Sequence, residues 1–143
     1  FLRTTLLLVV TLAPLGALLL GWRAGDLLAL ISEDPAVRET GTNYLRWSFA
    51  AGVFLTVNNA YMGFWNATDR PHLYFRVVLV QAAVKLPLNY LLMFGWGPLP
   101  AFGVAGAGMA TFAAALVGTI YHAATATREA GGYWRGPIRT QLG

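Results

Sequence analysis

The stretch LYFRVVLVQAAVKLPLNYLLMF, residues 73–94, decides which solvent this chain folds in. A helix rises 1.5 Å per residue, so about 20 apolar residues cross a hydrocarbon core about 30 Å thick. This stretch is long enough and apolar enough to do so. Near its middle, however, stands Lys85, four residues from Gln81 on one side and from Asn89 on the other. A lysine at the centre of a spanning helix costs about 2.5–3.5 kcal/mol on insertion scales. In a bilayer it needs a counter-charge, hydrogen-bond acceptors or a wet cavity.

Composition favours the bilayer. The chain is 57% hydrophobic and 11% charged, against about 25% charged for an ordinary soluble domain. A soluble bundle of buried helices would need more charge than this sequence has. There is no cysteine, which excludes disulfides and thiolate metal sites. The net charge of +4 raises nucleic acid as a partner, but no basic stripe interleaves with aromatics. The arginines stand instead at the ends of apolar runs. Phe1 is followed at once by apolar residues, with no basic segment and cleavage site of a signal peptide. The expectation is a fragment of a longer membrane protein, all-α and polytopic.

Four spans are expected, over about residues 4–21, 44–65, 73–94 and 103–126, making one transmembrane portion of residues 1–127. The first is interrupted by Pro14 and has the amphipathic DLLALI after it, a candidate continuation to Ile31. The linkers SEDPAVRETGTN, NATDRPH and GWGPLPAF carry Pro, Gly, Asn or Asp, the residues of turns. Residues 128–143 read as a basic surface connector. Consecutive spans alternate in direction. That puts Arg3, Arg70, Arg76, Arg128, Arg135 and Arg139 on one side, and Arg23, Arg38 and Arg46 with four carboxylates on the other. Basic residues accumulate on the cytoplasmic side, so the N-terminus, NATDRPH and the connector are expected inside the cell. Trp22, Tyr44, Trp47, Trp65 and Trp96 stand at span ends as interfacial anchors.

The fourth span holds small residues every four positions: Gly103, Ala107, Thr111, Ala115, Thr119, Ala123 and Thr127. Gly106, Ala110, Ala114 and Gly118 form a second row beside them. Such rows let backbones approach closely, which drives helix association where lipid and side chains are equally apolar. A packing face is the reading here. A nucleotide loop built on Gly103, Gly106 and Gly108 fails on spacing and on the missing strand ahead of it.

Polar residues within the spans are the candidate functional groups. Gln81, Lys85 and Asn89 share roughly one helix face, and Pro87 beside them frees a carbonyl one turn back. Lys85 is too central to snorkel comfortably, so a cavity-lining role is the leading reading. Thr56, Asn58 and Asn59 of the second span read first as interhelical glue, worth about 0.6 kcal/mol apiece on average. His72 and His122 lack a third ligand, so no metal site is expected. Asn66-Ala67-Thr68 matches a glycosylation sequon but falls on the cytoplasmic side, and SEDPAV reads as a helix cap. No nucleophile–base pair stands out. Neither an enzyme nor a bound cofactor is expected.

Taken together, LLALISEDPAVRETGTNYLRW, NATDRP, KLPLNYLLMFG and FGVAGAGMAT, in this order and spacing, resemble the multidrug and toxic compound extrusion (MATE) family, in its NorM-like branch. They look like its outer loop and fourth-helix start, its basic inner loop, its fifth-helix ending and the start of its sixth helix. The resemblance implies helices three to six of a twelve-helix, two-lobe transporter in the bacterial inner membrane. It implies export of organic cations by antiport with H+ or Na+, the remaining helices of the same chain and the lipid bilayer being partners. In several members the first lobe carries a cation-linked site. It comprises an aspartate on helix one, an amide and an acidic residue four apart on helix five, and a threonine on helix six. Carried onto this chain, the helix-five pair falls on Lys85 and Asn89 and the threonine on Thr111. Here an ammonium and an amide replace the amide and carboxylate, so this lobe is not expected to bind sodium in the same way. Two other readings stand beside export: a flippase of lipid-linked precursors, and a membrane subunit whose helices only pack.

Overall fold

The computed structural model describes residues 2–98 and 100–129, and among them every regular element is an α-helix. These are α1 (Leu2–Trp22), α2 (Ala24–Ala29), α3 (Pro35–Ala67), α4 (Pro71–Phe94) and α5 (Val104–Glu129). The expected connector lies, beyond Glu129, outside the described residues.

Local chemistry sets the boundaries. Arg23 (φ −83°, ψ 4°) separates α1 from α2, so the DLLA of DLLALI belongs to a short helix of its own, which ends before Leu30, rather than to the first span. Asp34 caps α3: its Oδ1 accepts from the Ala36 N–H at 2.9 Å, and Pro35 occupies the first helical position. The capping read from SEDPAV is present. The helix then runs straight through RETGTN, expected as loop. Gly41, there a turn residue by composition, stays helical and receives a neighbour, since a Cβ on it would lie 2.8 Å from Leu28 Cδ1 of α2.

Between α3 and α4 the chain turns at Asp69, a non-glycine residue at φ 55°. The Arg70 N–H reaches back to the Trp65 carbonyl at 2.8 Å. At the far end of α4, Gly95 leaves the helix at φ 73°. The loop folds back so that the N–H groups of Phe102 and Gly103 donate to the carbonyls of Leu92 (2.9 Å) and Met93 (3.2 Å). Pro14 and Pro87 lie inside their helices without ending them.

Three helices are long and apolar enough to cross a membrane: Thr4–Trp22, Pro71–Phe94 and Val104–Arg128. The remaining expected span, residues 44–65, lies inside α3, which falls short of that apolarity. Arg46, Asn58 and Asn59 account for the deficit. α3 also has 33 residues, about 50 Å at helical rise, so it is longer than a hydrocarbon core is thick.

The helices pack in the order α1, α3, α5, α4, while α3 and α4 touch each other little. Of the three apolar spans α5 is the most enclosed, with 33% of its spanning window buried, against 0% for α1 and 6% for α4. The apolar outer faces of α1 and α4, among them Leu8, Leu12, Leu19, Phe75 and Leu86, are exposed. This is the burial expected of edge helices whose solvent is lipid. At the end where α3 turns into α4, Val57, Tyr61, Trp65, Leu73 and Ala126 form the buried core, covered by Leu6, Val9, Phe64 and Tyr74.

Candidate functional site

The packing of α5 positions the polar residues. Its second small row faces α4. A Cβ on Gly106 would run into the Leu92 carbonyl, and one on Gly118 into the Gln81 amide. These two contacts set α4 and α5 antiparallel and place Asn89 and Lys85 roughly level with Ala110 and Ala114. Ala110, Ala114 and Ala115 are buried, and Ala107 is half-buried. Gly103, expected on the packing face with Ala107 and Ala115, takes no part in it. It sits at φ 55° ahead of α5 with nothing within 4 Å of a Cβ, so its service is to the turn and not to packing.

Along the polar face of α4 the three residues separate. Gln81 Nε2 and Asn89 Oδ1 are buried and without hydrogen-bond partners among the described residues. Lys85, between them, is exposed. No described carboxylate or acceptor reaches it. Thr111 donates its hydroxyl to Ala107 O of its own helix at 2.9 Å, and no hydrogen bond joins it to Lys85 or Asn89. The structure therefore brings α4 and α5 together at this level but forms no closed ion site from them. Among the described residues there is no group of three His, Cys, Asp or Glu that could hold a metal.

The other side of α5 meets α3, running parallel to it. Asn58 is 4% exposed. Its Nδ2 donates to Ala115 O at 3.2 Å, and its Oδ1 accepts from Thr119 Oγ1 at 3.0 Å. Both amide atoms are thus satisfied, which is the glue expected of it. Asn59 is exposed, and Thr56 is exposed with its hydroxyl turned back to Gly52 O at 2.7 Å. Toward the other end, Phe112 of α5 meets Trp47 and Phe54 of α3 edge-on, both at 5.4 Å between ring centroids.

Sequence reasoning missed one cluster. His122, dismissed as a metal ligand, is fully buried. Its ring stacks on Tyr61 (5.1 Å, 7°) and Tyr74 (6.1 Å, 9°), and Trp65 Nε1 donates to its Nδ1 at 3.2 Å. An indole N–H is only a donor, so Nδ1 holds a lone pair and the ring proton belongs on Nε2. That nitrogen is buried without a partner among the described residues. The signal was in the spacing: His122 continues the row Gly106, Ala110, Ala114, Gly118, and Tyr61 and Trp65 stand one turn apart on α3.

This arrangement can pack, insulate and present one cation on a helix edge. A MatE family model matches residues 1–91. Over 90 residues the chain is 31% identical to "Probable multidrug resistance protein NorM" of Mesorhizobium japonicum, covering 63% of this chain and 19% of that protein. It is also 31% identical over 77 residues to the protein of the same name from Neisseria meningitidis serogroup B, covering 54% and 17%. The chain thus spans about a fifth of the length of the curated relatives it matches. No solved structure matches it. With the family model covering well over half of it, this all-helical membrane chain belongs to the MatE family, whose members are transporters and not enzymes.

Proposed function

We propose that the chain is part of the first lobe of a secondary active multidrug exporter, supplying its helices three to six. α3 would then be the fourth crossing, its polar residues covered by α5 rather than exposed to lipid. In this reading two lobes alternate access to a central cavity in the bacterial inner membrane, and organic cations leave in exchange for H+ or Na+. The arginine bias supports an orientation with the α3–α4 turn on the cytoplasmic side. The observation that carries the reading is the family match over residues 1–91, joined to a membrane-depth polar face on α4 that packing alone does not require.

On the resemblance, Lys85 is where this chain departs from the family's cation-linked site. An exposed ammonium on a spanning helix needs a partner, and the described residues hold none for it. We assign that partner to a carboxylate of a helix outside them, the pair acting as a fixed internal charge that biases the outward–inward equilibrium. The test is accumulation of a fluorescent cationic dye in cells lacking their own exporters and expressing the intact protein. Lower accumulation, restored by collapsing the ion gradients, is the expected result. Unchanged accumulation would favour a flippase or a packing subunit.

A further inference from the structure

A groove of about 680 Å³ opens between α1 and α3, at the end where Trp22 and Arg46 stand. Ala17 and Gly21 on one wall and Ala50 on the other have too little side chain to fill it, and Phe54 and Phe112 help close the inner end. Its lining carries a single charge, Arg46. That guanidinium makes no hydrogen bond or ion pair among the described residues. Arg23, which follows Trp22 directly in sequence, lies within 3.9 Å of Asp26.

We infer that this groove holds one phospholipid, its phosphate on Arg46 and an acyl chain running inward over Ala17 and Ala50. Polarity runs the right way for that occupant: cationic at the mouth, apolar inward, with Trp22 83% exposed at the level where headgroups meet acyl chains. Depth agrees as well. Arg46 to Phe54 on α3 and Trp22 to Pro14 on α1 each span eight residues, about 12 Å of helix. That is close to one leaflet of a core about 30 Å thick. A packed helix would need contact through both leaflets. An organic cation would meet the like charge of Arg46. A guanidinium binds phosphate through paired N–H donors, which commits the mouth to an anionic group.

The inference rests on the chain lying in a bilayer, not on what it transports, so its test does not measure export. The intact transporter is reconstituted in phosphatidylglycerol nanodiscs, released into mild detergent, and its retained lipids are counted by native mass spectrometry. Wild type is expected to keep one phosphatidylglycerol that Arg46→Gln retains about tenfold less. Ala50→Phe, which fills the groove, should lose the same lipid. Equal retention in wild type and Arg46→Gln overturns the proposal whether or not Ala50→Phe folds. Loss in Arg46→Gln with full retention in Ala50→Phe also overturns it, because the site would then bind phosphate without a chain. A photo-crosslinker at Ala50 should label lipid. Labelling of another segment of the same chain instead would show a helix in the groove.

Discussion

The indole N–H of Trp65 donates to Nδ1 of His122 across 3.2 Å, and both side chains are buried where α3 and α5 run side by side. The bond selects the imidazole tautomer, and the Tyr61 and Tyr74 rings hold its plane. Three helices are thereby tied at one level.

Replacing His122 with alanine should therefore be among the costliest single changes in the described residues. It removes a buried ring and leaves the Trp65 N–H unsatisfied, a loss of about 3–5 kcal/mol for truncation of a large core side chain. Trp65→Phe keeps most of the volume and loses the bond, so about 1–3 kcal/mol is expected. The measurement is thermal unfolding of the intact protein in detergent. Equal midpoints for both variants would mean that the bond contributes and the ring does not.

Gly106 and Gly118 both touch α4, but differently, and their alanine variants should differ with them. At Gly106 the new methyl meets the Leu92 backbone carbonyl, which cannot move without parting the helices. Overpacking of that kind costs about 1–3 kcal/mol. At Gly118 it meets the flexible Gln81 amide, which can swing away. Gly106→Ala should be the more destabilising, and Gln81→Ala should rescue Gly118→Ala but not Gly106→Ala. A double-mutant cycle on unfolding midpoints reads this directly.

Much of this packing was legible in the sequence, because small residues at a spacing of four have one physical use between spanning helices. The capping by Asp34 was legible for the same kind of reason: an aspartate before Pro35 has a local hydrogen bond to make. The extent of α3 was not. Gly41 and its polar neighbours look like a turn until Leu28 of α2 is seen lying on the glycine, a tertiary contact that no local pattern announces. His122 was missed because its partners are 48 to 61 residues away and are aromatics, which at span ends read first as interfacial anchors. The polar face of α4 was visible, but not its division into half-buried Gln81 and Asn89, each with one buried polar atom, and exposed Lys85. That depends on how far α5 wraps around α4.

Asp69 offers a backbone test. It holds φ 55°, a conformation that costs an L-residue about 1 kcal/mol and a glycine almost nothing. Asp69→Gly should raise stability by up to about 1 kcal/mol, less the extra chain entropy of the unfolded glycine. Gly103→Ala, at the same φ with open space around it, should lower stability by a similar amount. Opposite shifts in unfolding midpoint are the expected result; shifts of the same sign would show that side-chain contacts, not backbone conformation, govern these turns.

Lys85 decides the functional reading. If its ammonium pairs with a carboxylate of another helix, Lys85→Met removes one charge of a pair and leaves the other unpaired in the membrane. Expression should survive, since methionine is easier to insert than lysine by about 2.5–3.5 kcal/mol or more. What should change is coupling: the dependence of dye efflux on external pH and sodium should shift or flatten. Neutralising the partner carboxylate in the same chain should then restore part of the wild-type dependence, as a double-mutant cycle requires of interacting charges. Lys85→Arg keeps the charge and should stay closest to wild type. Efflux whose pH and sodium dependence is the same in wild type and Lys85→Met would remove Lys85 from the coupling machinery and leave it a lysine reaching for water along the edge of α4.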